Sequence, residues 1–312
     1  MKKMKIIFLG TPDFAVPSLK ALHESGHRII AAVAQPDRAR NRRGQLVPTP
    51  VHAEAEALGI PFFSFERIGD NAEFLRSLAP DLMVTAAYGQ ILTQQVLDVP
   101  AHGVINVHAS LLPKYRGSSP IQWAIADGLK QTGVTIMQTE RGLDCGDILR
   151  RAVTPIGEKE TAGELSARLA ELGAKELVET VDEIACGKCV PVKQNESEAT
   201  YCKKIVKSDG LLDFSRPADE LYNKVRAFNP WPVAYTGIGG EMLKIYSCSV
   251  TNRSGVPGVL TRNGKELYVA CGERSLRLEV LQLPGKRAMS AAEFLAGHPA
   301  DGLKLEAPAD NS

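Results

Sequence analysis

The sequence predicts an α/β protein with an open, mainly parallel sheet covered by helices on both faces, followed by a smaller OB-like β-barrel domain. Three observations predict this. Between Lys5 and Ala185, short apolar runs of strand length alternate with segments of helical period. Val190–Lys207 is polar and has no apolar periodicity. Beyond Ser208, five short β-rich runs follow one another between glycine-rich turns. The expected organisation is residues 1–189, a linker over 190–207, and a second domain over 208–312.

Lys5–Leu9 reads as a buried strand closed by Gly10-Thr-Pro-Asp13. Phe14, Val16, Leu19 and Leu22 then recur with helical spacing up to Gly26, and Arg28–Val33 is the next strand. Gly10 stands without a GxGxxG pattern, so this βαβ opening gives little support to a dinucleotide site. Val51–Leu58 is a helix, Ile60–Phe63 a short strand, and Asn71–Leu78 a helix. Leu82–Ala87 is a strand ending at Tyr88-Gly89; Thr93–Leu97 is a short helix and Val104–His108 a strand. Pro120 opens a helix, and Val134–Gln138 and Asp147–Thr154 are further strands. Thr161 and Glu164 have capping-box spacing at the head of a long helix ending at Ala185. Right-handed crossovers gather the strand ends at Gly10, Tyr88 and His108 along one edge of the sheet. In the second domain a helix over Ala218–Phe228 precedes strands near 234–238, 242–250, 258–261, 267–271 and 276–283. Ser290 and Glu293 form a second capping box, and the tail beyond Glu306 is expected to fray.

Composition narrows the function class. With 312 residues, 44% hydrophobic and 23% charged, the chain has the makeup of a soluble globular protein, and the expected location is the cytoplasm. No apolar run approaches membrane-spanning length, so no membrane partner is expected, and a monomer is the simplest expectation. A net charge of +1 excludes a globally basic protein, leaving nucleic-acid contact to local patches. The six cysteines are too scattered for a disulfide framework. Cys186-Gly-Lys-Cys189 lacks the partners a zinc site needs and reads as a helix end with a turn, so no metal is expected.

One local patch is strongly basic. Gln35–Pro50 carries Arg38, Arg40, Arg42 and Arg43 within six residues, bounded by prolines and without apolar periodicity. Four arginines without matching acids repel one another, and a phosphate backbone relieves that repulsion. This segment is expected to be a mobile surface loop that touches RNA or phosphate.

The least ordinary stretch is Val104–Trp123, VINVHASLLPKYRGSSPIQW. Asn106 and His108 interrupt an apolar strand at i and i+2, and so share one face. Burying an amide and an imidazole costs free energy unless both are hydrogen-bonded, so neither serves as apolar filler. A loop and a helix start follow, the arrangement in which α/β proteins bind ligands at strand ends. The glycine-punctuated loop Arg141-Gly-Leu-Asp144-Cys-Gly-Asp147 supplies acids, and either Asp144 or Asp147 can orient the His108 ring. Ser110 lacks a nucleophile elbow, so this is no hydrolase triad. Without a protein nucleophile, the set suits direct acyl transfer between two bound substrates. Asn106 and His108 would donate to a developing oxyanion, while an aspartate takes the amine proton.

These residues resemble the formyltransferases that use 10-formyltetrahydrofolate. The resemblance is carried by Asn106-x-His108, by Ser110–Gly117 with Pro120, and by Gly142-Leu-Asp144-x-Gly-Asp147. It implies that Asn106, His108 and Asp144 are catalytic. It also implies that 10-formyltetrahydrofolate binds along Ser110, Leu111, Leu112 and Pro113 and beside Tyr88, Gly89, Ile91 and Leu92. Gly10-Thr-Pro-Asp-Phe14, Gln35-Pro-Asp37 and Arg226-Ala-Phe-Asn-Pro-Trp-Pro232 point within the family to enzymes acting on initiator methionyl-tRNA. That resemblance implies that Arg42 contacts the acceptor arm, flanked by Arg38, Arg40 and Arg43. The barrel and the linker residues Lys203, Lys204 and Lys207 add backbone contacts. The alternatives are formyl transfer to a small amine, such as glycinamide ribonucleotide or an amino-sugar nucleotide, and a non-catalytic RNA-binding protein. The first leaves the arginine loop and barrel without a task, and the second leaves Asn106, His108 and Asp144 unexplained.

Overall fold

The computed structural model describes residues 3–38, 40 and 44–308. They form two compact units. The first comprises residues up to Pro120, then Gln131–Pro155 and Ser166–Cys202; the second comprises Ile121–Lys130, Ile156–Leu165 and the chain from Lys203 onward.

In the first unit, β1 (Lys5–Gly10), α1 (Val16–Glu24), β2 (Arg28–Ala34), α2 (Pro50–Ala57) and β3 (Phe62–Ser64) follow in order. Next come α3 (Ala72–Ser77), β4 (Leu82–Ala86), α4 (Gln94–Leu97), β5 (Val104–His108) and the two-residue β6 (Arg116–Gly117). After α5 (Pro120–Ala126), which belongs to the second unit apart from Pro120, come β7 (Gln131–Gln138), β8 (Ile148–Pro155), α6 (Ala162–Ala185), whose first turn is also in the second unit, and β9 (Tyr201–Cys202). Seven strands form one sheet in the order β3-β2-β1-β4-β5-β7-β8. The pairs from β3 through β5 are parallel, whereas β7 runs antiparallel to both β5 and β8. The mainly parallel sheet of the sequence reading is therefore present, with an antiparallel margin.

Strand alternation decides what each face does. Ile7, Leu9, Met83 and Val104 pack with Ala72 and Leu75 of α3 and Val96 and Leu97 of α4. Thr85 pairs with Asn106 in register and belongs to that same face. Val107 points the opposite way, where a Cβ built on Gly173 of α6 would lie 2.7 Å from its Cγ1. Asn106 and His108 thus lie at the end of the α3/α4 face, while their neighbour Val107 anchors the sheet to α6. Both capping boxes form: Thr161 Oγ1 accepts from Glu164 N at 3.3 Å while the Glu164 carboxylate accepts from Thr161 N at 2.9 Å, and Ser290 and Glu293 do likewise. Gly187 closes α6 with φ +65°, so Cys186 and Cys189 lie at a helix-terminating turn, both free. No described helix is long and apolar enough to cross a membrane.

The second unit contains α7 (Ala218–Ala227), β10 (Ala234–Ile238), β11 (Glu241–Thr251), β12 (Leu260–Asn263), β13 (Glu266–Ala270), β14 (Ser275–Gln282), β15 (Met289–Ser290) and α8 (Ala291–Gly297). Its antiparallel sheet runs β10-β11-β14-β13-β12. The end of the chain closes this path. Glu306 pairs with Gly237 at the β10 edge, and Lys304 pairs with Val259 just ahead of β12. Glu306, the last residue before the tail that sequence expects to fray, is part of the barrel seam; residues 309–312 lie outside the described residues. Leu243, Ile245, Leu267, Leu276 and Leu278 fill the interior with Leu221 and Val225 of α7 and Phe294 of α8.

Gly133 of β7 tests how tightly the first unit is built. A Cβ there would lie 2.0 Å from the Ala152 carbonyl oxygen of β8 and 2.5 Å from Leu111 Cδ2. Gly133→Ala is therefore expected to cost about 1–3 kcal/mol of stability through overpacking. A denaturant midpoint equal to that of the parent would refute the close approach.

Candidate active site

Asn106 and His108 reach the site from the C-terminal end of β5. Asn106 Oδ1 accepts a hydrogen bond of 2.8 Å from Thr85 Oγ1 on the neighbouring strand. Because that bond occupies the amide oxygen, the NH₂ group is the end left to serve a ligand. Thr85, which in sequence is simply one residue of the Leu82–Ala87 strand, is thus what orients Asn106. Its signal was weak, because a hydroxyl inside an apolar strand is also met as ordinary core threonine.

The His108 side chain is almost fully enclosed, with one ring nitrogen hydrogen-bonded and the other beside a carboxylate. Nε2 lies 3.0 Å from the carbonyl oxygen of Tyr115, and Nδ1 lies 3.7 Å from Asp144 Oδ2. A carbonyl only accepts, so Nε2 carries a hydrogen, and Nδ1 is the nitrogen turned toward Asp144. Nδ1 and the carboxylate are neighbours just beyond hydrogen-bond distance.

Of the two aspartates that sequence left open, Asp144 is the one whose carboxylate lies beside the ring. The loop reaches it by a longer route than the sequence implied. Because β7 is antiparallel to β5, its last residue, Gln138, pairs with Ile105 near the start of β5. Residues 139–147 double back toward His108, and Gln138 N donates to Asp147 O at 2.8 Å on the way. Asp144 itself takes φ +49°, the left-handed region, and its Oδ2 accepts 2.8 Å from the Gly117 N–H. Tyr115, whose carbonyl receives His108, also lies in that region at φ +57°. Such conformations cost about 1–2 kcal/mol for a residue with a Cβ and persist where surrounding contacts over-determine them.

The segment read as a linker contributes to those contacts. Thr200 Oγ1 accepts from Tyr115 N at 2.9 Å, Thr200 O accepts from Arg116 N at 2.8 Å, and β9 pairs in parallel with β6. Gly117 is required there, since a Cβ would lie 2.2 Å from the Cys202 carbonyl oxygen. A polar, aperiodic sequence conceals this pairing, because two-residue strands have no period to read.

The residues assigned to folate divide by burial. Ser110 is buried, donating from Oγ to Lys114 O at 2.7 Å, and its own carbonyl accepts from Thr135 Oγ1 at 2.7 Å. Leu112 packs inward on Met137 and Ile148, Pro113 is buried, and Leu111 is half-buried over Gly133. Across the sheet edge, the Tyr88 carbonyl accepts from Thr11 Oγ1 at 3.0 Å and Gln35 Nε2 at 3.1 Å, tying together the ends of β1, β2 and β4. The Tyr88 ring is buried in the core, which pushes its phenol up to about 12. Gly89 takes φ +85°, Leu92 is half-buried, and Ile91 is 92% exposed, an aliphatic side chain standing in solvent.

The basic segment is fastened at its base. Asp37 accepts from Thr49 N at 2.7 Å and lies 2.7 Å from His52 Nδ1, whose ring stacks on Phe62 at 3.8 Å. Arg38 is exposed and pairs with Glu66, and Arg40 donates to Gly44 O at 2.6 Å. Arg42 and Arg43 lie outside the described residues. In the second unit, Lys203 is drawn to Asp209 at 2.6 Å and to the Trp123 ring, whereas Lys204 and Lys207 are exposed.

An amide, an imidazole and a carboxylate thus gather at the strand ends of an α/β sheet, where α/β proteins bind ligands. Comparison with known proteins places the chain in a family: the formyl transferase profile matches residues 4–181 and the formyl transferase C-terminal domain profile matches residues 204–299. The chain belongs to the formyl transferase family. It is 45% identical over 300 residues to the methionyl-tRNA formyltransferase of Geobacter sulfurreducens, covering 95% of each chain. Among solved structures, the N-formyltransferase of Helicobacter canadensis, in complex with folinic acid and dTDP-3-aminofucose, superposes with a TM-score of 0.69 at 19% identity over 88% of this chain and 99% of that one. A variant of HypX from Aquifex aeolicus superposes with a TM-score of 0.67 at 17% identity, covering 94% of this chain and 49% of that one. This chain therefore spans about half the length of HypX. At such identities the two structures speak to the fold.

Thr85→Val keeps the side-chain shape and removes the hydroxyl that fixes Asn106. It is expected to lower turnover about tenfold, equivalent to ~1.4 kcal/mol of barrier. Steady-state kinetics with both substrates saturating would check this, and unchanged turnover would show that Asn106 is oriented otherwise.

Proposed function

We propose that the protein transfers the formyl group of 10-formyltetrahydrofolate to the α-amino group of initiator methionyl-tRNA. The amine nitrogen attacks the formyl carbon and a tetrahedral adduct forms. The bond from that carbon to N10 of the folate then breaks, and N10 leaves with a proton. Residues 1–189 carry the chemistry and residues 208–312 add tRNA contacts. The protein works in the cytoplasm as a monomer. The observation that carries this reading is the likeness to methionyl-tRNA formyltransferases, 45% identity across 95% of the chain, together with the Asn106, His108 and Asp144 cluster. Family members bind folate-derived donors, which supports the donor; the basic segment leading from Gln35 supports an RNA acceptor.

In this mechanism the amide NH₂ of Asn106 donates to the oxyanion. His108 accepts the amine proton at Nδ1, and Asp144 stabilises the imidazolium. The α-amino group, with an ordinary pKa of about 7.7–8.0, is partly neutral near pH 7 and needs only modest activation. The folate would lie along Ser110–Pro113 and the Tyr88–Leu92 turn, where the exposed Ile91 would gain an apolar partner. Arg42, with Arg38, Arg40 and Arg43, would meet the acceptor arm, and Lys203, Lys204 and Lys207 the backbone further along.

Mixing the protein with 10-formyltetrahydrofolate and charged initiator tRNA should formylate the methionyl amine, while glycinamide ribonucleotide and free methionine should not react. Asn106→Ala should reduce turnover about 10²–10³-fold, the usual loss of one oxyanion donor. His108→Ala should cost about 10²–10⁴-fold. Full turnover in either variant, with circular dichroism confirming the fold, would remove that residue from the mechanism. Arg42→Glu should weaken tRNA binding and flatten its salt dependence, the slope changing by about 0.9 per lost phosphate contact. Binding and slope equal to the parent's would free the basic segment of this role.

A further inference from the structure

The largest fully buried side chain among the described residues is a charged one beside the candidate active site. Arg116 is 1% exposed, and it lies between Tyr115, whose carbonyl receives His108, and Gly117, whose N–H holds Asp144. All five of its N–H bonds are used. Nε and Nη2 donate to Gln194 Oε1 at 3.1 and 2.8 Å, and Nη1 and Nη2 donate to the two carboxylate oxygens of Glu196 at 2.8 and 2.7 Å. The fifth reaches Tyr201 Oη at 3.4 Å, with the guanidinium carbon 5.9 Å from the centre of that ring. The hydrogen bond to Glu196 leads the effects that raise the guanidinium pKa, so the charge is permanent.

Gln194 is the next link, and its orientation follows from chemistry. A guanidinium only donates, so the end of Gln194 facing it is the amide oxygen and the NH₂ group faces away. That group donates to the carbonyl oxygen of Asp144 at 2.9 Å and to that of Gly146 at 2.7 Å. Arg116 therefore fixes Gln194, and Gln194 fixes the backbone carbonyls on both sides of Cys145. The Asp144 carboxylate is meanwhile held by the peptide next to Arg116. One three-residue segment thus grips His108 with a carbonyl, the Asp144 carboxylate with an N–H, and the Asp144 backbone through a side-chain relay.

We infer that Arg116 and Gln194 are positioning residues for the Asp144–His108 pair, keeping the carboxylate beside Nδ1 while the chain at Asp144 is held in the left-handed region. The inference rests on the proposed roles of Asp144 and His108. It assigns a task to residues 194–202, which reach the site from beyond α6. Neither positioning residue needs to touch a substrate. Their effect is on turnover, because a misplacement of about 1 Å at a reacting group costs on the order of 10²-fold in rate.

Gln194→Glu separates the two ends of the relay. A glutamate keeps the size and still accepts from Arg116, adding an ion pair there, but it has no N–H for the Asp144 and Gly146 carbonyls. The expected result is a kcat lowered about 10–100-fold, with KM for donor and acceptor unchanged and the melting temperature near the parent's. Arg116→Lys, which cannot hold two partners in one plane, should show the same split if the first variant folds poorly. In an Asp144→Asn background, Gln194→Glu should remove almost nothing more, because residues acting as a unit are non-additive. A kcat equal to the parent's in folded Gln194→Glu, or a loss fully additive with Asp144→Asn, would overturn the positioning role. Asp144→Asn with parental turnover would instead show that the underlying reading of the site is wrong, and the inference would fall with it.

Discussion

A buried guanidinium that leaves no N–H unmatched is the constraint on which the site's geometry depends. Removing such a charge from water is costly unless every donor is satisfied, so Arg116 stays enclosed only with Gln194, Glu196 and Tyr201 in place. Those three residues come from a segment about eighty positions away, and the guanidinium draws that segment onto the loop that follows β5. Backbone pairing then adds to the side-chain contacts: Thr200 and β9 lie along Tyr115–Gly117, with room between them only because residue 117 is glycine. Two left-handed residues, Tyr115 and Asp144, become tolerable because hydrogen bonds on both sides hold them.

The sheet supplies the second constraint. Alternation places Val107 against α6 and its two polar neighbours on the other face, so the strand is anchored and functional at once. Register then brings Thr85 opposite Asn106, and one hydroxyl decides which end of the amide is offered. The antiparallel β7 alters the route of the third residue. Its loop starts at the wrong end of β5 and must return, which is why it is punctuated by Gly142 and Gly146. A Cβ on Gly146 would lie 2.0 Å from the Gln138 carbonyl oxygen. A parallel strand in that position would have delivered Asp144 directly but would have needed a crossover connection.

The alternating elements of the first unit and the quick succession of strands in the second were legible because period and turn chemistry are local properties. The Asn106 and His108 pair was legible for the same reason, as polar residues inside an apolar strand are conspicuous. Thr85 was not, since a threonine suits a strand without any functional reason. Arg116 read as a basic loop residue, because nothing next to it in sequence balances its charge. Residues 190–202 read as a linker because two-residue strands and single side-chain contacts leave no periodic trace. The barrel seam left no periodic trace either: Glu306 pairs with Gly237, and Lys304 with Val259, through single bridges.

By itself, then, the sequence determined the fold class, the order of elements, the two polar residues on β5 and the presence of aspartates in a flexible-looking loop. It also determined, through motif resemblance, which aspartate to choose. Only the tertiary structure decided how that aspartate meets the ring, which nitrogen of His108 faces it, which end of Asn106 Thr85 holds, and what keeps the three together. The division has a physical cause. Local choices are set by sterics and hydrophobic period within a few residues, whereas the site is set by hydrogen bonds between groups tens of positions apart. Such bonds leave no mark on the sequence beyond the residues that make them.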